Sequence, residues 1–197
     1  LGIADNGNLS RILEDLEHCG FIVRTNAYGA RKYNAIYRLM DNFSLFFLKF
    51  MQENKTDDPS FWSHNYISPL RYSWCGLAFE RVCFQHIPQI KHFLGIDQIH
   101  TEYYSWRSKV SKPAAQIDLL IERADNLVNL CEIKYSQMPY TITKEEDMRI
   151  RNRMADFVAE TGIKSGIIPT MITTFGVRLT QYAALAQVQI TMDDLFG

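Results

Sequence analysis

The chain lacks any run near the roughly 18 consecutive apolar residues that span a bilayer, which argues against a membrane-crossing helix. Its first residues, Leu1-Gly2-Ile3-Ala4-Asp5-Asn6, hold neither a basic segment nor an apolar core, so they do not read as a signal peptide. Position 1 is not Met, and the chain is expected to be a piece of something longer. Cysteine is scarce: Cys19, Cys75, Cys83 and Cys131 stand far apart, with no Cys-x-x-Cys and no Cys/His cluster at zinc spacing. Reduced, mostly buried thiols in a cytoplasmic protein are the expectation. Charge of one sign is also missing. With a net charge of −1, the chain has no global pull toward nucleic acid, and any DNA contact must come from local basic patches.

What is present is an ordinary globular composition, 47% hydrophobic and 22% charged, enough for a sizeable core. Asn8 reads as the N-cap of a helix whose Leu9, Ile12, Leu13 and Leu16 recur at i, i+3, i+4, i+7, closed by Gly20. Two strand-like runs follow, 21–28 and 33–40, split by Gly29-Ala30-Arg31-Lys32. A short helix, a glycine and a two-stranded wing match the second half of a winged helix-turn-helix. Residues 41–51 are aromatic and helical in tendency. The polar, proline-bearing stretch 52–60 predicts a linker, and the boundary is placed over residues 52–66.

From Trp74 a helix is predicted, with Phe79, Val82, Cys83, His86, Ile87 and Ile90 on one face and Pro88 kinking or splitting its last turn. A strand over 98–104, a polar loop over 105–113 and strands over 115–123 and 127–135 come next. A charged helix over 144–160 turns Met154, Phe157 and Val158 inward and ends at Gly162. Strands over 165–174 and 187–191 surround a short helical stretch, 177–186. After the linker the order is αβββαβ, then one more helix and strand.

The chemistry concentrates in the central hairpin. Ala124-Asp125-Asn126 is turn-forming. Centring the turn on Asp125 puts Asp118 opposite Glu132, at the 4.5–5.5 Å or so between Cβ atoms of cross-strand neighbours. Lys134, two residues beyond Glu132, shares its face. Two carboxylates and an ammonium on one face suit a hard divalent cation such as Mg²⁺ or Mn²⁺, which binds through carboxylates, water and substrate phosphate. The alternative is a solvated strand face with weak ion pairs. Against it stand the near-continuous apolar residues on both strands, Ile117, Leu119, Leu120, Ile121, Leu130, Cys131 and Ile133.

Weaker signals surround this hairpin. Arg24, Arg31, Lys32 and Arg38 make the wing basic, as phosphate contact requires, or as a docking surface would. Glu14, Asp15 and Glu17 on the preceding helix would repel phosphate. Trp106, Arg107, Lys109 and Lys112 form a basic loop before Asp118 that would steer a phosphodiester, or lie solvated. Gln116, on the Asp118 face, is a candidate for substrate or for a metal-bound water. His86 is expected to pack in the core, and Asp193-Asp194 to form a cap or turn.

At Gln116-Ile117-Asp118 and Cys131-Glu132-Ile133-Lys134 the chain resembles the PD-(D/E)XK nuclease superfamily. That resemblance implies a restriction-endonuclease-like αβββαβ core with a mixed sheet, catalytic Asp118, Glu132 and Lys134, and a further glutamate from the first core helix. Glu80 in Gly76-Leu77-Ala78-Phe79-Glu80-Arg81 stands at that position, so the implied metal ligands are Asp118, Glu132 and Glu80.

A broader resemblance reaches the C-terminal region of an archaeal and bacterial family of AAA-type, STAND-like ATPases. It is carried by Leu39-Met40-Asp41-Asn42-Phe43-Ser44-Leu45-Phe46-Phe47, Ser105-Trp106-Arg107, Gln116 through Asp125, Cys131-Glu132-Ile133-Lys134 and Thr191-Met192-Asp193-Asp194-Leu195-Phe196. It implies a winged helix, a nuclease-like domain of unassigned function and an N-terminal ATPase partner domain. No Gly-x-x-x-x-Gly-Lys-(Ser/Thr) is present, so this chain supplies no nucleotide site. The expectation is an α/β protein with a partial winged helix over 1–51, a linker over 52–66 and a nuclease-like domain over 67–197. The expected function is Mg²⁺-dependent hydrolysis of DNA. The alternative is a non-catalytic DNA- or protein-binding module that regulates the ATPase.

Overall fold

The structure, a computed structural model, describes residues 7–29, 35–52, 58–64 and 66–197. Helix α1 (Gly7–His18) leads into strands β1 (Ile22–Ala27) and β2 (Ala35–Leu39). Helix α2 (Asn42–Phe46) runs on as a π-helical turn, Phe47–Met51, and is followed by α3 (Phe61–His64), α4 (Pro69–Gln85) and α5 (Ile87–Phe93). Strands β3 (Thr101–Arg107), β4 (Gln116–Arg123) and β5 (Leu127–Lys134) form a meander. Helix α6 (Lys144–Thr161) then crosses over to β6 (Gly166–Thr173), and β7 (Val188–Thr191) completes the sheet. The fold is α/β, with one mixed sheet ordered β2-β1-β3-β4-β5-β6-β7. Neighbours β2/β1, β3/β4 and β4/β5 are antiparallel; β1/β3, β5/β6 and β6/β7 are parallel.

Each face of the sheet carries a core. Leu119, Ile121, Cys131 and Ile133 pack with Phe79, Cys83, Ile87 and Ile90 of α4 and α5. Trp106, Leu120, Val128 and Leu130 pack with Phe157 of α6. Burial on both faces explains why β4 and β5 read as continuous apolar runs rather than alternating ones. Each such side chain contributes about 1.5–3 kcal/mol on leaving water. The helix ends follow local chemistry. Ser68 Oγ accepts from Arg71 N at 3.1 Å to start α4, and Thr143 Oγ1 accepts from Glu146 N at 3.2 Å to start α6. Gly162 closes α6 at φ 65°, a conformation that costs a glycine little.

Several expectations are corrected. Asn8 lies inside α1 rather than at its cap, and the helix buries none of its residues; Ile12 and Leu16 are exposed. The hairpin read as a wing joins the main sheet through β1 and β3, so strands from both sides of residues 52–66 share one sheet. Residues 61–64 of the expected linker are helical. Trp62 stacks edge-on against Phe46, Phe50 and Trp74, because aromatic burial outweighs the polar start of that segment. Helix α4 starts at Pro69 rather than Trp74; of the two outcomes expected at Pro88, the split is the one found, with α5 a separate helix carrying Pro88 in its first turn.

Further along, β3 begins later than expected and takes in Trp106, which is buried against Phe157 instead of lying on a basic loop. On α6 Val158 is exposed, and the buried residues are Phe157 and, in a separate cluster with Ile142 and Met171, Ile150. The helical stretch over 177–186 shrinks to a single 3₁₀ turn, Ala183–Leu185. Of the four cysteines, all free, Cys83 and Cys131 are buried and Cys19 is exposed.

Candidate functional site

The hairpin register is the one its turn predicts: Leu119 faces Cys131, Leu120 faces Leu130, Ile121 faces Asn129 and Glu122 faces Val128. Leu119 and Cys131 are the last pair, so the ladder stops where Asp118 and Glu132 begin. On its other edge β4 carries a bulge. Tyr104 pairs with Leu120 but Trp106 pairs with Ile117, leaving Asp118 and Leu119 opposite Ser105 alone. An extra residue of this kind re-aims side chains and ends regular pairing. Local turn chemistry sets the register, and the bulge sets where Asp118 points.

Asp118 leans toward the α4 side. Gln116 Nε2 donates to its Oδ1 at 2.7 Å. Arg38 Nη2, from β2, stands 3.8 Å from the same oxygen. The Arg38 guanidinium lies 4.6 Å from the centre of the Phe84 ring, which holds it on that side. Glu80 of α4 feels the same charges. Burial first and the charge of Asp118 second push its carboxyl up to about 7, with Arg38, Lys134 and Arg81 opposing the rise.

Glu132 and Lys134 meet the α6 side. Lys134 Nζ is 2.9 Å from Glu132 Oε1. Arg153 Nη1 of α6 donates to Glu132 Oε2 at 2.5 Å. Lys134 Nζ also stands 3.8 Å from Glu146 Oε1, which pairs with Arg149 at 3.0 Å and accepts from the Tyr140 hydroxyl. Burial and Glu146 together push the Tyr140 phenol well above its usual range. The result is one seam of charge from β2 to α6. Its carboxylates are neutralised by cations of the chain itself, which is how ionised groups tolerate burial.

The sequence-predicted residues are only partly gathered: the expected Asp118–Glu132 cross-strand pair is not part of the ladder, which ends at Leu119–Cys131 beside the β4 bulge, so the two carboxylates and the ammonium do not share one face as expected. Glu132 and Lys134 touch; Asp118 and Glu80 influence each other; Lys134 acts on Glu80 across the seam. Among the described residues no three acidic, histidine or cysteine side chains are arranged to hold a metal ion. Gln116 is brought to Asp118. Arg107 is exposed at the end of β3, and Lys109 is tied through its backbone N–H to Glu160 at 3.1 Å. Arg24, in β1, donates its backbone N–H to Glu17 at 3.3 Å. Arg31 and Lys32 lie outside the described residues.

His86 packs as expected, with Nδ1 2.7 Å from Val82 O and its ring against Phe196. Asp194 caps a turn, its carboxylate accepting from Thr191 N at 2.7 Å. Sequence reasoning missed Arg153, Arg149 and Glu146, and it read Arg38 as wing surface. The signal for the α6 trio was present: positions 146, 150, 153 and 157 recur at i, i+4, i+7, i+11, so Glu146 and Arg153 share the inward face of the helix with Ile150 and Phe157, and Arg149 flanks it.

Among the described residues, no helix is long and apolar enough to cross a membrane. Comparison with protein-family models, with curated proteins and with solved structures found no match.

Proposed function

We propose that the chain is a nuclease-like module that hydrolyses DNA phosphodiester bonds with a divalent cation, Mg²⁺ or Mn²⁺. The observation that carries this reading is the bulge beside the end of the β4–β5 ladder. Beside it Asp118 and Glu80 are near enough for their charges to interact, and Glu132 and Lys134 pair two residues apart on β5. The residue types suit a hard cation, although the described carboxylates are not gathered into a metal-ligating cluster and both oxygens of Glu132 are paired. Glu80 is held proton-rich near neutral pH partly by the negative charge of Asp118, a repulsion that a cation between them would relieve. Asp118, Glu132 and Glu80 would hold the ion. When bound, it lowers the pKa of a coordinated water and offsets charge on the phosphate.

The chain's own groups supply the rest. Lys134 places a proton-bearing ammonium 2.9 Å from Glu132 Oε1, ready to stabilise negative charge at that edge. Gln116 fixes the rotamer of Asp118 through its 2.7 Å hydrogen bond. The likeness to PD-(D/E)XK nucleases and to the C-terminal part of an ATPase family supports the reading by motif, and an ATPase domain is proposed as its partner.

One observation favours a second reading, a non-catalytic DNA- or protein-binding module that regulates the ATPase. Both oxygens of Glu132 are already paired, with Lys134 and Arg153. Calorimetric titration with Mn²⁺ separates the two. The nuclease reading expects a binding heat that Asp118→Ala removes, together with plasmid nicking that Lys134→Ala removes. Equal heats for wild type and Asp118→Ala would leave the second reading.

A further inference from the structure

The first two turns of α4 and the end of β5 form a pocket of about 120 Å³, whose lining includes Tyr66, Arg71, Tyr72, Cys75, Tyr135 and Gln137. Alternation along β5 turns Tyr135 to the α4 side with Cys131 and Ile133, while Lys134 meets α6. The pocket therefore opens one residue beyond Lys134 and about two turns before Glu80 on α4. Its rings are held in place. Tyr72 and Tyr135 meet edge to face at 5.6 Å, and the Tyr72 hydroxyl donates to Tyr135 O at 3.3 Å. The Tyr135 phenol is hydrogen-bonded to the Cys75 thiol. The Arg71 guanidinium lies 4.5 Å from the centre of the Tyr66 ring and 4.3 Å from that of Trp62, and its Nη1 donates to Trp62 O at 3.1 Å. Tyr66 is still 55% exposed and Tyr72 53%, so aromatic surface at the pocket stays open to solvent.

We infer that this pocket takes one unpaired base of a DNA strand lying along the candidate site. It rests on the reading of the chain as a DNA-acting module and needs no bound cation. Size favours such an occupant. Clefts that enclose a whole small molecule run to roughly 300–1,000 Å³, so this one suits a single flat ring presented by a larger molecule. Every base has a π face to lay on a tyrosine, whereas a base inside a duplex is covered on both sides. Gln137 is exposed at the rim, and its carboxamide both donates and accepts, as the edge of a base does. Charge selects a base over a neutral ring. Arg71 puts a permanent cation in the wall, and among the described residues no carboxylate shares it, which suits a ring carried on a phosphodiester. Rings already fixed by Arg71 and by Tyr135 lose little freedom when a base arrives.

Binding of a fluorescein-labelled oligothymidine to the intact chain, read by anisotropy in buffer containing EDTA, tests this. Tyr66→Ala and Tyr72→Ala are each expected to weaken it about tenfold, the usual effect of losing one stacked base. Tyr72→Phe keeps the ring, removes only the hydroxyl and is expected to bind like wild type. Tyr103→Ala, at an exposed tyrosine of β3 that lines no part of the pocket, is expected to change nothing. An oligomer of abasic sites with the same phosphates, and the oligothymidine annealed to its complement, are each expected to bind about tenfold more weakly than the single strand.

Wild-type affinity in both alanine variants overturns the pocket and spares DNA as the partner, as does equal binding of the abasic oligomer or of the duplex. A loss in Tyr72→Phe as large as in Tyr72→Ala assigns the effect to the hydroxyl and overturns the stacking. Absence of oligothymidine binding by wild type overturns the pocket and leaves the nuclease reading to the Mn²⁺ and nicking measurements, which use neither tyrosine. Should Tyr72→Ala not fold, Tyr66→Ala, outside α4 and more than half exposed, decides alone.

Discussion

Arg38 Nη2 lies 3.8 Å from Asp118 Oδ1, although β1 and β3 separate their strands in the sheet. The β1–β2 hairpin is thereby attached to the candidate site by a side chain, in addition to its backbone pairing. Removing Arg38 strips Asp118 of this cation and Phe84 of its stacked guanidinium. Arg38→Ala is expected to destabilise the fold by about 1–2 kcal/mol, with Arg38→Lys between it and wild type. Thermal unfolding checks this, and a midpoint equal to wild type for Arg38→Ala would remove the link.

Glu80 makes stability depend on pH in a fixed direction. Its carboxyl is raised from 4.5 to about 7 in the folded chain, by burial first and by Asp118 second. Between those values the folded state binds more protons than the unfolded state, so stability falls as pH rises through the window. The stabilising contribution is complete below the unfolded value and lost above the folded one. Glu80→Gln is expected to flatten that part of the curve and to leave the protein about 1–2 kcal/mol more stable near pH 8, allowing for partial exposure of the group. Melting curves across the window would show it, and an unchanged slope in the variant would count against the assignment.

The phase of α6 is testable by two adjacent substitutions. Phe157 is fully buried, with the Trp106 and Tyr28 rings at 5.4 and 5.1 Å, whereas Val158 is 39% exposed. Phe157→Ala is expected to cost about 3–5 kcal/mol, and Val158→Ala within about 0.5 kcal/mol. Denaturant midpoints decide it; comparable losses would mean the helix is rotated from the orientation described.

Glu132 and Arg153 should behave as a unit. Glu132→Ala leaves the guanidinium buried without its carboxylate and is expected to cost about 3–5 kcal/mol. Removing Arg153 as well should recover part of that loss. Additive losses across the double-mutant cycle would show that the two groups act independently.

Thiol chemistry separates the cysteines. Cys131 is pushed up to about 12 by burial, and Cys83 higher still, so neither offers thiolate at neutral pH. Cys19 is exposed. A colorimetric thiol reagent is expected to label Cys19 in the native protein and to reach Cys83 and Cys131 after unfolding. Rapid native labelling of either buried thiol would contradict the core packing.

Local information was sufficient for the central hairpin. Residues 124–126 form the turn expected of them, and two apolar runs of equal length leave one register that buries both faces, so Leu119 meets Cys131 as predicted. The alternation that pairs Glu132 with Lys134 is likewise a property of any strand. The basic loop before Asp118 was misread because its first members, Trp106 and Arg107, belong to β3, where burial of an indole against Phe157 outweighs the polar character of its neighbours.

From its order of residues alone this chain determines strands β4 and β5, the long helix α6 and the register of the β4–β5 hairpin, because turns, caps and periodicity act over a few positions. Tertiary structure alone decided that Arg38 meets Asp118, that Arg153 covers Glu132 and that a bulge opposite Ser105 turns Asp118 aside. Those contacts join segments far apart in the chain, and no local pattern encodes which cation will reach a buried carboxylate first. That choice follows from the packing of whole strands and helices, which must bring the charges together before their desolvation can be offset.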